Sequence, residues 1–226
     1  MKIGILQTGH APDEIIPENG DYNELFQKLL AGQGFEFTNF PVVDGVFPEG
    51  PDVADGWLIT GSRFGAYEDH DWIPPLEDLI RAIKASGKPL IGVCFGHQII
   101  AQALGGKVEK WPGGWSVGRQ SYTLNDSEIA LNAWHQDQVT ALPPDTKVIG
   151  SSDFCENAAL LIGDTILTIQ PHPEFTASVI AGLIRHRGRG NVPDPLLDAA
   201  VSQLSNPADT AAFADLMANF LKEASR

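Results

Sequence analysis

Short apolar runs ending in polar or glycine-rich turns alternate along this chain with stretches that carry apolar residues at helical spacing. Lys2 to Gln7, Phe35 to Phe40 and Gly56 to Thr60 have the length and the branched or aromatic content of strands. Asp21 to Leu30 puts Tyr22, Leu25, Phe26, Leu29 and Leu30 on one helical face, with Asp21 as N-cap, Glu24 three residues on and Gly32 just past the end. A helix over Leu76 to Ala85 then leads into a strand over Lys88 to Val93. This alternation predicts an α/β fold, an open and mostly parallel sheet with helices on both faces. After Gly106 the elements shorten to strands over Lys107 to Trp111, Ser116 to Leu124, Lys147 to Ser152, Ala158 to Ile162 and Thr165 to Ile169, and mixed pairing is expected there. Beyond Arg189, residues Phe213, Leu216, Met217, Phe220 and Leu221 share one face of a helix, which the pattern starts with Asn206 as N-cap and Pro207 at its first position. The reading is a main domain over 1–188 and a helical C-terminal extension over 189–226 packed on it.

Charge narrows the partners. Fifteen Lys and Arg against 29 Asp and Glu leave a formal net charge of −14, which disfavours nucleic acid and anionic membranes. A small molecule or a protein is the expected partner. Two cysteines, no basic-then-apolar leader and no apolar run near the ~20 residues of a membrane span fit an uncleaved cytoplasmic chain with reduced thiols. The six histidines form neither H-x-H nor H-E-x-x-H, so no metal site and no cofactor are assigned.

The candidate chemistry begins at Cys94. It is framed as Gly92-Val93-Cys94-Phe95-Gly96, at the end of one strand and the start of a helix marked by Ile99, Ile100 and Leu104. Small flanking residues permit the sharp turn that projects a nucleophile, and unpaired N–H groups at a helix start favour a thiolate. A base stands downstream in Pro171-His172-Pro173-Glu174. His172 can take the cysteine proton, while Glu174, two residues on in a segment stiffened by prolines, can fix the other ring nitrogen. Cys155 has no motif and is read as structural. His97 is read as structural too, and the basic run Arg185, His186, Arg187 and Arg189 as a solvated helix end.

Taken together, Gly92-Val93-Cys94-Phe95-Gly96-His97-Gln98, Leu104-Gly105-Gly106, His135-Gln136-Asp137-Gln138-Val139 and Pro171-His172-Pro173-Glu174-Phe175 resemble the class I (triad) glutamine amidotransferase family. The resemblance spans roughly the first 185 residues and keeps every motif in order. It implies a flavodoxin-like catalytic domain that cleaves a γ-glutamyl amide through a cysteinyl thioester, with Cys94, His172 and Glu174 as the triad. It places the oxyanion hole on backbone N–H groups of Phe95 and of the loop Gly61-Ser62. It also implies that Gln98, His135 and Asp137 contact the glutamyl group, with Asp137 facing its ammonium. Thr60-Gly61-Ser62-Arg63 departs from the Ser-Gly-Gly-Pro usual in synthetase-linked members and is similar to free-standing members and γ-glutamyl peptidases. In that comparison Arg63 contacts substrate and can meet the carboxylate of a peptide leaving group. No G-x-x-x-x-G-K-[ST] phosphate loop is present, so an ammonia acceptor would be activated by a separate synthetase or acceptor subunit. Two substrates follow, glutamine first and a γ-glutamyl peptide as the alternative, with a non-enzymatic regulatory homologue as a third reading.

Overall fold

The computed structural model describes residues 1–224. Its strands are β1 (Lys2–Leu6), β2 (Glu36–Phe40), β3 (Gly56–Ile59), β4 (Leu90–Val93), β5 (Lys107–Lys110), β6 (Ser116–Leu124), β7 (Ser127–His135), β8 (Asp137–Ala141), β9 (Thr146–Ser151), β10 (Ala159–Ile162) and β11 (Ile166–Ile169). Its α-helices are α1 (Ile16–Asn19), α2 (Tyr22–Leu29), α3 (Ile73–Ser86), α4 (Phe95–Ala103), α5 (Ala177–Leu183), α6 (Asp194–Ser202) and α7 (Thr210–Glu223). Nine strands form one sheet in the order β2-β1-β3-β4-β11-β10-β9-β6-β7, and β5 pairs with β8 beside it. Pairing is parallel from β2 to β11 and antiparallel from β11 to β7. The change in rhythm after Gly106 is this change of direction.

The central parallel strands are buried on both faces, which is why β3, β4 and β11 read as unbroken apolar runs. One face holds Trp57, Ile59 and Leu90 against Leu76, Ile80 and Ile83 of α3 and Phe95, Ile99 and Ile100 of α4. The other holds Ile3, Ile5, Ile91 and Val93 against Phe26 of α2 and Phe213, Met217 and Leu221 of α7. Helix α2 starts where the pattern put it, with the Asp21–Glu24 capping box formed. Helix α3 begins three residues before Leu76, because Pro74 and Pro75 are tolerated in a first turn whose N–H groups have no helical acceptor.

Three findings correct the sequence reading. Strand β7, not anticipated, pairs with all of β6 across an Asn125-Asp126 turn whose residues take φ of 44° and 65°, a hairpin geometry those side chains tolerate. Strand β8 and helices α1, α5 and α6 were also unmarked, α1 and α5 being only four and seven residues long. The tail helix starts at Thr210, not after Asn206. Asp209 explains this: it accepts the Ala130 N–H on Oδ2 at 2.7 Å and donates its own N–H to the Ala130 carbonyl at 2.8 Å. Since β7 is a sheet edge, its free amides recruit the loop that would otherwise have begun the helix.

Candidate active site

The C-terminal ends of β1, β3, β4 and β11 converge, and the residues just past each of them make the site. Past β4, Cys94 takes φ 53°, ψ −103°, and its N–H bonds the Ile169 carbonyl of β11 at 2.8 Å. This left-handed conformation is costly for a residue with a side chain and is held by its surroundings. Two glycines make it fit. A Cβ on Gly92 would lie 2.5 Å from the Gly96 carbonyl oxygen, and one on Gly96 would lie 2.4 Å from that of Ile59. The thiol side chain is thereby held at the N-terminus of α4, where the Phe95 N–H has no acceptor among the described residues.

Past β3 runs the Thr60–Arg63 loop, secured from below. The Gly61 carbonyl accepts from Thr8 Oγ1 at 3.1 Å and Thr60 Oγ1 at 3.0 Å, both residues wholly buried. In a trans peptide the following N–H points the opposite way, so the Ser62 N–H is aimed away from these hydroxyls. Gly61 is required here by proximity: an added Cβ would sit 2.9 Å from His172 Cε1 and 3.8 Å from Cys94 Cβ.

Past β11, His172 is fixed on every side. Its N–H donates to the Asn132 carbonyl of β7 at 2.7 Å, its ring stacks on Phe175 with centroids 3.9 Å apart, and Nδ1 lies 2.6 Å from Glu174 Oε1. Both side chains are almost completely buried. Burial by itself would lower the pKa of the ring, but the Glu174 carboxylate and the adjacent Cys94 reverse this and raise it to about 10. The imidazole is thus held ready to carry a proton, with Nε2 left for Cys94.

A cavity of about 410 Å³ opens on Cys94. Four further residues singled out from the sequence, Gln98, His135, Asp137 and Arg63, line it. Gln98 Nε2 and His135 Nδ1 both face the Asp137 carbonyl, at 3.0 and 3.2 Å, so one backbone oxygen organises both side chains. Burial pushes His135 down to about 4, leaving it neutral. Burial raises the carboxyl of Asp137 and outweighs the Tyr67 hydroxyl that donates to it at 3.2 Å. Cys155 is buried away from the cavity lining, and burial pushes its thiol up to about 12. His97 points into the sheet, with Nδ1 2.8 Å from Thr168 Oγ1, and burial drives it down to about 3.

The reading of the basic run needs correction. Residues Ile184–Gly188 form a π-helical turn after α5, and Arg187 on it is half-buried and lines the cavity, whereas Arg185, His186 and Arg189 are exposed as expected, Arg189 being paired to Asp194 and Asp198. Tyr22, Tyr67, Lys110, Trp115, Trp134 and Asn191 line the cavity too and carried no motif.

Comparison with known proteins gives a consistent family. A profile described as "Glutamine amidotransferase class-I" matches residues 53–184. The chain is 32% identical over 221 residues to "Gamma-glutamyl peptidase 4" of Arabidopsis thaliana, covering 90% of this chain and 88% of that one. It is 32% identical over 141 residues to "GMP synthase [glutamine-hydrolyzing]" of Azoarcus sp., covering 55% of this chain and 26% of that one. Among solved structures, a glutamine amido transferase from Methylobacillus flagellatus superimposes with a TM-score of 0.77 at 22% identity, over 100% of this chain and 93% of that chain.

Proposed function

The chain belongs to the class-I glutamine amidotransferase family, and from that premise we propose that it hydrolyses γ-glutamyl amides through a thioester on Cys94. The observation that carries this reading is the meeting of Cys94, the His172–Glu174 pair at 2.6 Å and the Gly61–Ser62 loop beside a cavity that Cys94 and Ser62 line. The raised pKa lets His172 Nε2 hold the proton of the Cys94 thiol as the sulfur attacks the γ-carbonyl carbon. The carbonyl π bond opens, and the oxyanion is met by the Phe95 N–H and the outward-facing Ser62 N–H, with Gly61 shaping the loop. Collapse expels the amine, which takes the proton from His172 and leaves the acyl group on sulfur. Water then attacks the thioester, again giving its proton to His172, and glutamate departs as Cys94 recovers its hydrogen. Glu174 holds the ring and balances its charge.

Gln98, His135, Asp137 and Arg63 are the residues we assign to the glutamyl group and its surroundings. Asp137, fixed by Tyr67, is the natural partner for the α-ammonium. A second reading, hydrolysis of γ-glutamyl peptides without any partner, is favoured by the oxyanion loop. Because Thr8 and Thr60 already orient the Gly61–Ser62 peptide, no acceptor subunit is needed to form it. An amidotransferase that passes ammonia to a synthetase is the competing arrangement.

The purified chain should release ammonia or an amine from glutamine or a γ-glutamyl dipeptide. A chloroketone analogue of glutamine should attach once, at Cys94 and not at Cys155, by peptide mapping. Labelling that survives in Cys94→Ala, or turnover retained in that variant, would refute the assignment. Turnover seen only after addition of a second protein would favour the subunit arrangement.

A further inference from the structure

The cavity has two unlike ends. At one, the loop carrying Gly65 and Tyr67 folds onto Asp137, with the Tyr67 hydroxyl 3.2 Å from Oδ1 and the place of a Gly65 Cβ 3.2 Å from Oδ2. A carboxylate there suits an ammonium, so the glutamyl head belongs at this end. At the other end, Tyr22 and Leu183 are buried in one apolar cluster against which Trp115 and Trp134 pack, and Trp134 also closes on Gly188, whose Cβ position is 3.2 Å from its ring. Arg187 projects at this second end from the π-helical turn, half-buried, with its Nη2 donating to the His10 carbonyl at 3.5 Å. It forms no ion pair with any described residue, in a chain of net charge −14. Acidic side chains are plentiful, yet none has been placed against this guanidinium. The Tyr22 ring lies 6.0 Å from that of Phe175, which stacks on His172, and this sets the wall beside the Cys94–His172 pair.

Glutamine would leave this end empty, because its leaving group is ammonia. A cavity of about 410 Å³ lies in the size range of sites that enclose larger ligands. We propose that the wall of Tyr22, Trp115, Trp134, Leu183, Arg187 and Asn191 is a leaving-group subsite for γ-glutamyl amides whose amine bears both an apolar side chain and a carboxylate, with Arg187 holding that carboxylate. The aromatic rings shed water onto an apolar side chain, while a planar guanidinium fits a carboxylate with two parallel hydrogen bonds. Asn191 offers neutral hydrogen bonds at the rim. The π-helical turn is the device that matters, since its extra residue shifts the register that α5 would otherwise have continued.

This rests on the hydrolytic reading above, and the experiment separates the two. kcat/KM is measured for γ-glutamylphenylalanine, γ-glutamylglycine and γ-glutamyl phenethylamide, which keeps the ring and lacks the carboxylate, on the wild type, Arg187→Gln and Arg63→Gln. The dissociation constants of the same three compounds are measured by calorimetry on Cys94→Ala. γ-Glutamylphenylalanine is expected to exceed the phenethylamide by about 10- to 100-fold, as a charge-assisted hydrogen-bond pair allows, and that ratio should collapse towards one in Arg187→Gln. The same ranking should appear in the dissociation constants. A ratio unchanged in Arg187→Gln, even if all rates fall, would make Arg187 structural and overturn the proposal. Loss of the ratio in Arg63→Gln instead would move the carboxylate site to the oxyanion loop, and no preference for the phenylalanine compound over the glycine one would remove the apolar subsite. If nothing is cleaved but the calorimetric ranking holds, the hydrolytic reading fails and the subsite stands.

Discussion

Replacing Gly61 with alanine adds one methyl group where the Thr60–Arg63 loop, the proposed oxyanion loop, passes His172. The new Cβ would lie 2.9 Å from His172 Cε1, against 3.4–4 Å for ordinary contact, so something must move by about half an ångström. The imidazole cannot retreat easily, being stacked on Phe175 at 3.9 Å and tied to Glu174 at 2.6 Å. The loop is held in turn by the hydroxyls of Thr8 and Thr60. Overpacking of this kind costs about 1–3 kcal/mol in stability. Displacement of catalytic groups by a full ångström costs about 10²-fold in rate, so half that shift should lower kcat by roughly 10-fold, or about 1.4 kcal/mol of barrier. The assay is kcat at saturating γ-glutamyl substrate beside a thermal melt, with Gly50→Ala as the control because nothing lies within 4 Å of its added Cβ. A folded Gly61→Ala protein whose kcat stays within about two-fold of wild type would show that the loop and the imidazole are not packed as described.

Within the triad, His172→Ala should remove about 10³-fold or more of kcat and Glu174→Gln distinctly less, measured on folded protein; equal damage from His135→Ala or His97→Ala would mean the base is misassigned. The raised pKa of His172 also makes a stability prediction. Its stabilising contribution is complete below the unfolded value of about 6.5 and is lost as pH rises through about 10, so the melting-temperature gap between wild type and Glu174→Gln should be widest near pH 6 and close towards pH 10. A gap that does not vary with pH would show that the pair does not hold the proton. In the tail, Met217 is fully buried against both the sheet and α2, so Met217→Ala should cost about 2–5 kcal/mol by denaturant titration, and an unchanged midpoint would mean α7 is dispensable.

Local chemistry was the legible part of the sequence. The capping box of α2 and the elbow glycines follow from rules that operate within a few residues, and the Pro171–Glu174 segment carries its hydrogen bond over two. The site components without a motif come from tertiary pairing. Arg187 reads as one cation in a surface run, and only the π-helical turn puts it into the cavity. Trp115 and Trp134 fall at opposite ends of a hairpin, near the start of β6 and near the end of β7, so their shared wall exists only once that register is set. The start of α7 was misread for the same reason, since Asp209 answers to a strand far away in the sequence. Two signals could have helped: the Asn125-Asp126 turn announces the β6–β7 hairpin, and an unbalanced cation in so acidic a chain invites a functional reading.

The position of β11 has a consequence for how the molecule comes into being. It is the last strand in the chain, yet it sits near the middle of the nine-stranded sheet, inserted between β4 and β10. Ile166 pairs with Leu90, so the sheet can close only after everything between them has been made, and long-range parallel pairing of this sort is slow. Cys94 and the Gly61–Ser62 loop therefore exist in the nascent chain well before His172 can reach them. Until that strand inserts, the thiol has no base beside it and the Cys94 N–H lacks the Ile169 carbonyl that helps hold its turn. On the proposed mechanism the site is completed only when this strand inserts, so a chain truncated or stalled before β11 should be catalytically silent even though it contains Cys94.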